Sequence, residues 1–399
     1  MRRYFLLFAI ISGLISLSPA LASAGTFEVS GWLPYWRGAT TTQDVLPHLS
    51  EMTEINPFVY TLRNDGTFLD NAPLTNPAWA AIIAAAHAQN VRVIPTVMTG
   101  NSALVHTLLS SSKKRIALES YIATFVKQNN FDGIEIDFEG KAATDKTFFS
   151  TFLKGLYQRI GNKFVVCDIE ARTPIADAYY GTEVPANAGQ YANDYTQINK
   201  YCDRVKIMTY DQQGVDMKLE AQAASSSQLY APVSDPAWIT AVVNLAKKSI
   251  NPKKIIIGIP TYGYEYAVTA YAGNQYIYDI LWTFNPGYAT QVEQQYNVGA
   301  SRAPWGEMNL SYFSSSLAST TPPVSAVPFD AVAAAAASSI YASSTNSHTQ
   351  FRYLVWPDAT SIAQKVALAQ NLGVRGVAIF KLDGGEDQGI WQALQGVKK

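Results

Sequence analysis

Eight short runs rich in β-branched and aromatic residues recur along the chain, and segments with helical spacing fill most of the intervals between them. The runs are "FEVSGWLPYW", "INPFVYTL", "VRVIPTVM", "DGIEIDFE", "KFVVCDIEA", "RVKIMTYD", "KIIIGIPTYG" and "RGVAIFKLD". Helical spacing marks "PAWAAIIAAAHAQN", "KKRIALESYIATFVKQN", "KTFFSTFLKGLYQRIG", "PAWITAVVNLAKKSI" and "SIAQKVALAQNLG". Strands alternating with helices argue for a parallel sheet, and eight such units are what a closed barrel requires. Several runs are apolar on both faces, as expected for strands covered by an outer ring of helices. The expected fold class is α/β, a (β/α)8 TIM barrel, and 399 residues suffice for the barrel and an insertion.

The insertion falls between the seventh and eighth strands, which are separated by far more chain than one helix needs. It covers about residues 264–351, is rich in Tyr, and contains "SSSLASTTPPVSAVPFDAVAAAAASS". That tract reads as a linker by composition. Its flanks "NQYIYDILWTFNPGY" and "QFRYLVW" read as strands, which favours a small α+β subdomain seated on one barrel loop. No period of 20–50 residues recurs, which excludes a solenoid.

Within the fourth run, "FDGIEIDFEG", three carboxylates alternate with three apolar residues. Strand side chains alternate faces, so Ile134, Ile136 and Phe138 share one face and Glu135, Asp137 and Glu139 the other. In isolation this fits a half-exposed antiparallel strand. In a barrel the apolar face meets the helices and the acids point into the interior. Unpaired carboxylates there cost several kcal/mol each, roughly, so partners or chemistry must account for them. Glu139 comes last, at the C-terminal end where barrel enzymes build their sites.

Net charge is −1 and charged residues make up only 15% of the chain, so no bulk electrostatic attraction to nucleic acid or an anionic membrane is expected. The 23 Tyr and 8 Trp suit an uncharged partner such as a sugar, whose C–H faces pack on aromatic planes, although core packing claims most of them. Residues 1–24 read as an export signal: Met1-Arg2-Arg3 is basic, "YFLLFAIISGLISL" is apolar, and "ALASA" offers cleavage after Ala24 or Ala22. The mature chain, 25–399, is then expected in a secreted or periplasmic, cell-envelope location, as a monomer with no stable membrane span; an uncleaved N-terminal anchor is the alternative. Cys167 and Cys202 would enter an oxidising space, where they either pair or remain buried thiols. Four scattered His and no CxxC pair give no support for zinc, and neither a metal nor a cofactor is expected.

The motifs together resemble family-18 glycoside hydrolases, the chitinase family. "FDGIEIDFE" is similar to that family's fourth-strand signature DG-x-D-x-D-x-E, and "MTYD" (Met208–Asp211) to its sixth-strand M-x-Y-D. "GIPTYG" (Gly258–Gly263) and "GVAIFKLDGGED" follow in family order, and "GWLPYW" with "INPFVYTLRNDGTF" resembles bacterial members acting on peptidoglycan or related N-acetylated glycans. There are two departures: Glu135 stands where the pattern has Asp, and Phe380 where the family usually has a Trp flooring the sugar site.

The resemblance implies an exported hydrolase that cleaves β-1,4 bonds next to N-acetylglucosamine by a substrate-assisted retaining mechanism. The sugar's own acetamido oxygen is then the nucleophile, an exception to the usual two-carboxylate arrangement. It implies that Glu139 is the acid, Asp137 holds and polarises the acetamido N–H about 7 Å nearer the floor, and Tyr210 donates to the acetamido oxygen. Asp211 would bind the sugar, and Met208 joins the substrate-binding set with it. Glu135 would share a proton or hydrogen bond with Asp137; the alternative is a structural partnership with a buried basic or hydroxyl group. Glu135 is the only further acid on the fourth strand, and two strand steps set it about 13 Å from Glu139, too far for a nucleophile pair. Trp36, Tyr60, Tyr262 and Phe380, at expected strand ends, are candidates to line sugar subsites, with core packing as the alternative. Asp383, Glu386 and Asp387 read as solvated loop acids capping the last helix.

Two other classes compete. A glycan-binding lectin on the same fold would be expected to lose the acid, whereas Glu139 is present. A metal hydrolase could use an acidic triplet, but hard cations usually take ligands from loops. The partner is thus an N-acetylated polysaccharide or oligosaccharide. Chitin, with GlcNAc at every position, and peptidoglycan, which alternates it with MurNAc, both qualify.

Overall fold

A computed structural model describes residues 27–213, 216–225, 228–313, 342, 344–345 and 348–398. The expected export signal and the Ser/Thr/Pro/Ala tract lie outside the described residues.

The eight expected strands form at Glu28–Pro34, Glu54–Leu62, Thr96–Thr99, Gly133–Phe138, Phe164–Glu170, Arg204–Met208, Ile255–Pro260 and Gly376–Phe380. Each pairs in parallel with its neighbours, and the eighth closes on the first with Gly376 opposite Glu28. Closure is tight at that seam: a Cβ on Gly376 would stand 2.0 Å from the Glu28 carbonyl oxygen, so any larger residue would push the strands apart. The third strand is preceded by a separate two-residue pairing, Arg92–Val93 with Glu54–Ile55, ahead of Pro95, which has no N–H to donate.

Helices cover the outside as the apolar spacing predicts. Ile134, Ile136 and Phe138 are all buried in the outer apolar layer. Phe138 packs at 5.7 Å on Phe152 and 6.4 Å on Phe149, both from the helix Lys146–Arg159. Truncating such a ring to Ala costs about 3–5 kcal/mol. Cys167, on the outward face of the fifth strand, forms a disulfide with Cys202, which follows the helix Tyr195–Tyr201.

The opposite faces fill the barrel with charge at the bottom. Glu28 is bound by Arg204 and Arg375 at 2.7 and 2.8 Å and by Arg92 at 3.2 Å, and Arg92 also reaches Glu54 at 3.1 Å. Burial opposes ionisation of Glu54, yet Lys206 and Arg92 hold its carboxyl down to about 2.

Between the seventh and eighth strands stands a second, antiparallel sheet. Its strands, in spatial order, are Gln275–Phe284, Gly263–Tyr271, Thr349–Trp356, Met308–Tyr312 and Ser301–Arg302, with the helix Gly287–Tyr296 packed beside them. The strand Thr349–Trp356 runs past the boundary expected at 351, because the whole of "QFRYLVW" belongs to the insertion.

Asp383 and Glu386 are buried, contrary to the expectation of solvated loop acids. Asp383 pairs with Lys381 and accepts the Gly385 N–H at 2.9 Å, while Glu386 accepts the N–H groups of Asp383 and Gly385, each at 3.0 Å. Burial and the neighbouring Asp44 push Glu386 up to about 8. Asp387 does cap the last helix, Ile390–Leu394, accepting the Gly389 N–H at 2.9 Å just ahead of it, and it also accepts the Ala359 N–H at 2.9 Å at the start of the helix Ala359–Asn371. Among the described residues, no helix is long and apolar enough to cross a membrane.

Candidate active site

A cavity of about 470 Å³ opens at the C-terminal mouth of the barrel. Asp137, Glu139, Asp168 and Glu170 line its acidic side; Trp32, Trp36, Phe58 and Phe380 line the aromatic side, with Met208, Tyr210 and Asp211 between. Glu139 lies one residue beyond its strand, and its N–H donates to the Thr99 carbonyl at 2.9 Å, which ties the turn to the third strand. Its carboxyl interacts with that of Asp137, whose Oδ1 is buried without a hydrogen-bond partner. Burial raises Asp137 well above the ordinary carboxylate range, and the charges of Glu139 and Glu135 add to this. Glu139 is raised as well, first by burial and then by Glu170, against the opposing ammonium of Lys141. Both shifts favour a proton held on the pair, the direction a general acid needs.

Glu135 has a different partner from Asp137. One carboxylate oxygen meets Lys206 Nζ at 2.7 Å and the other accepts the Thr96 hydroxyl at 2.6 Å. Lys206 also pairs with Glu54 at 3.1 Å and sits 4.7 Å over the Trp32 ring. Burial opposes its charge, but Glu135, Glu54 and Asp168 hold it above the ordinary lysine value. Of the two alternatives for Glu135, the buried basic and hydroxyl partners are the ones found. The extra methylene of Glu over Asp lengthens its reach toward them.

Tyr210 stacks on Phe380 at 5.3 Å with their planes 13° apart and meets Trp32 edge-on at 6.5 Å. Gly258 makes room for that ring, since a Cβ there would stand 2.6 Å from Tyr210 Cε1. Burial, followed by the surrounding charges of Asp137 and Asp168, pushes the Tyr210 hydroxyl well up, so it remains an O–H donor. Asp211 adopts a left-handed backbone at φ 57° and stands exposed at the rim, accepting from the hydroxyls of Tyr262 and Tyr264. Trp36 lies in the turn Tyr35–Arg37 after the first strand, 48% exposed, edge-on to Phe58 at 5.9 Å.

Two expected wall residues lie elsewhere. Tyr60 packs in the outer layer against Phe125 at 5.0 Å and Phe68 at 5.8 Å. The pairing register slips between Phe58 and Tyr60, so a bulge inverts the alternation: Phe58 faces the cavity and Tyr60 the helices. Tyr262 is buried behind the wall, edge-on to Tyr210 and Phe380, and serves the site by donating to Asp211.

Cavity residues that escaped the sequence reading include Trp32, Phe58, Asp168 and Glu170. The same alternation rule finds the two acids in "VVCDIE", where Asp168 and Glu170 share a face opposite Cys167 and Ile169. Among the described residues, no group of three or more His, Cys, Asp and Glu side chains is arranged to hold a metal ion.

The model of the glycosyl hydrolases family 18 matches residues 34–385. The uncharacterized glycosylase YvbX of Bacillus subtilis is 26% identical over 165 residues, 41% of this chain and 43% of that protein. The chain thus spans less than half the length of this relative. The spore cortex-lytic enzyme SleL of Bacillus megaterium superposes with a TM-score of 0.66 at 18% identity, over 92% of this chain and 73% of that one. A chitinase of Chromobacterium violaceum gives a TM-score of 0.66 at 16% identity, over 93% and 98% of the two chains. At such identities these structures speak to the fold alone. With the family match spanning the barrel from the end of its first strand to the loop beyond its last, the chain belongs to family 18 of the glycosyl hydrolases.

Proposed function

We propose that the protein hydrolyses β-1,4 bonds next to N-acetylglucosamine in a chitin-type or peptidoglycan-type glycan, with the substrate's acetamido oxygen as nucleophile. The observation that carries this reading is the grouping of Glu139, Asp137 and Tyr210 in one cavity, the two carboxyls interacting and raised, the phenol kept as a donor. Glu139 delivers its proton to the leaving oxygen. Asp137 accepts the acetamido N–H, and Tyr210 donates to the acetamido oxygen as it closes on the anomeric carbon. Glu139, now a base, takes a proton from the water that opens the resulting oxazoline. Trp32, Phe58 and Phe380 offer rings for the sugar's C–H faces.

A carboxylate nucleophile is the competing route, and Glu170 lines the same cavity. Its oxygens already accept the Gly140 N–H at 3.1 Å and the Asn193 amide, and Lys141 lies 3.7 Å away. That engagement favours the substrate-assisted route. Retention of Glu139 favours turnover over glycan binding alone. The N-terminal stretch supports export, and the disulfide agrees with an oxidising extracellular or periplasmic space.

Proton NMR of fresh products tests the reading. Oligomers of β-1,4-linked GlcNAc should be cut with an initial β anomer, and their fully de-N-acetylated counterparts should resist. An initial α anomer, or equal rates on the deacetylated oligomer, would refute it.

A further inference from the structure

The fourth and fifth strands pair in parallel with Glu135 opposite Val166 and Ile136 opposite Cys167. Carried forward, that register sets Asp137 beside Asp168 and Glu139 beside Glu170, on neighbouring strands about 4.8 Å apart. The cavity thus holds two carboxyl pairs in step, one from each strand. The deeper member of the second pair, Asp168, hydrogen-bonds Glu135 and is fully buried with one oxygen unpartnered; its neutral form suits that place. The outer member, Glu170, is fastened on three sides, by the Gly140 N–H, the Asn193 amide and the Lys141 ammonium. Gly140 is the residue after Glu139 and has φ 62°, so one hydrogen bond locks Glu170 to the turn that carries the acid.

We propose that Glu170 is a positioning residue for proton placement: its fixed carboxylate keeps Glu139 in the acid form until the leaving oxygen takes the proton. This rests on the reading of Glu139 as the general acid. The groups that act on Glu139 come from four places. Asp137 shares its strand, Lys141 follows it in the turn, Glu170 faces it from the fifth strand, and Asp211 with Tyr210 faces it from beyond the sixth. Lys141 is the only cation among them, and it is drawn away: its Nζ donates to the Phe138 carbonyl, pairs with Glu170 and lies 4.8 Å over the Phe149 ring. Glu170 therefore acts twice, as a like charge beside the acid and as the partner that occupies the nearby ammonium. Burial raises Glu139, and Glu170 is the next cause in size.

Both actions have the same sign, so Glu170→Gln should make Glu139 a stronger acid. Gln keeps the shape and an acceptor for Gly140. On a β-1,4-linked GlcNAc tetramer, the alkaline limb of kcat/KM against pH should move down by about one unit, a tenfold change in the protonation constant. Lys141→Met should move the limb the opposite way. A residue that only braced the loop would lower the rate at every pH and leave the limb in place.

A titration by 13C NMR of carboxyl-labelled Glu, with the Glu139 signal identified by its loss in Glu139→Gln, reads the same midpoint without turnover. An unmoved midpoint in folded Glu170→Gln and Lys141→Met overturns the proposal, whatever the activity. A moved midpoint with a fully active Glu139→Gln would instead remove the general-acid reading, and with it the catalytic meaning of the shift.

Discussion

Removing the ammonium of Lys206 should destabilise the protein more than any loss of lysine at the surface. The side chain is fully buried and holds Glu135 at 2.7 Å and Glu54 at 3.1 Å, both themselves buried. In Lys206→Met, Glu54 keeps Arg92 at 3.1 Å, but Glu135 is left with only the hydroxyl and acid hydrogen bonds of Thr96 and Asp168. Breaking a buried pair by removing one partner costs about 3–5 kcal/mol. A chain of this size unfolds with an entropy of about 0.8 kcal/mol per kelvin, so the melting temperature should fall by roughly 4–6 °C. Adding Glu135→Gln removes the stranded charge and should restore at least half of the loss. Calorimetry of the single and double variants at pH 7 makes the comparison. A Lys206→Met protein melting within 1 °C of wild type at pH 7, or a double variant no better than the single, would refute the reasoning.

Two further outcomes follow from the site and the barrel floor. Glu139→Gln should lose about 10²–10⁴ in kcat while still binding GlcNAc oligomers, and Asp137→Asn and Tyr210→Phe should lower kcat far more than they raise KM; steady-state kinetics showing a rise in KM alone would make them ordinary binding residues. Glu54 is held at about 2 against an ordinary 4.5, so its stabilisation is complete above about pH 4.5 and disappears as pH falls through 2. That shift is worth roughly 3 kcal/mol as an upper figure, and urea unfolding of Glu54→Gln should show a flatter loss of stability between pH 5 and pH 3 than wild type.

The barrel and its acidic fourth strand were legible because both depend on short-range periodicity. Alternation over six residues placed Ile134, Ile136 and Phe138 outside and the acids inside, and the eight strand runs needed only local composition. Tyr60 was misread for the same reason: alternation counts residues, and the bulge after Phe58 adds one that no local signal announces. Lys206 lies on another strand 71 positions from Glu135, so its partnership depends on barrel closure rather than on any pattern in "RVKIMTYD". Asp168 and Glu170 were within reach of the rule that found Asp137 and Glu139. They were overlooked because "VVCDIE" matches none of the motifs on which the family resemblance rests. Burial of Asp383 and Glu386 depended on Lys381 and on backbone N–H groups folding around them, which a glycine-rich acidic stretch does not advertise.

The bond between Cys167 and Cys202 has a topological consequence for the cleft. It spans 35 positions and closes a covalent ring that contains Asp168, Glu170 and the exposed segment Thr182–Tyr191. A protease that cut within that segment would leave both new ends tethered to the barrel, one through the fifth strand and one through the helix Tyr195–Tyr201. A clipped molecule would keep its mass until reduced, and its acidic wall would stay anchored at the strand that matters.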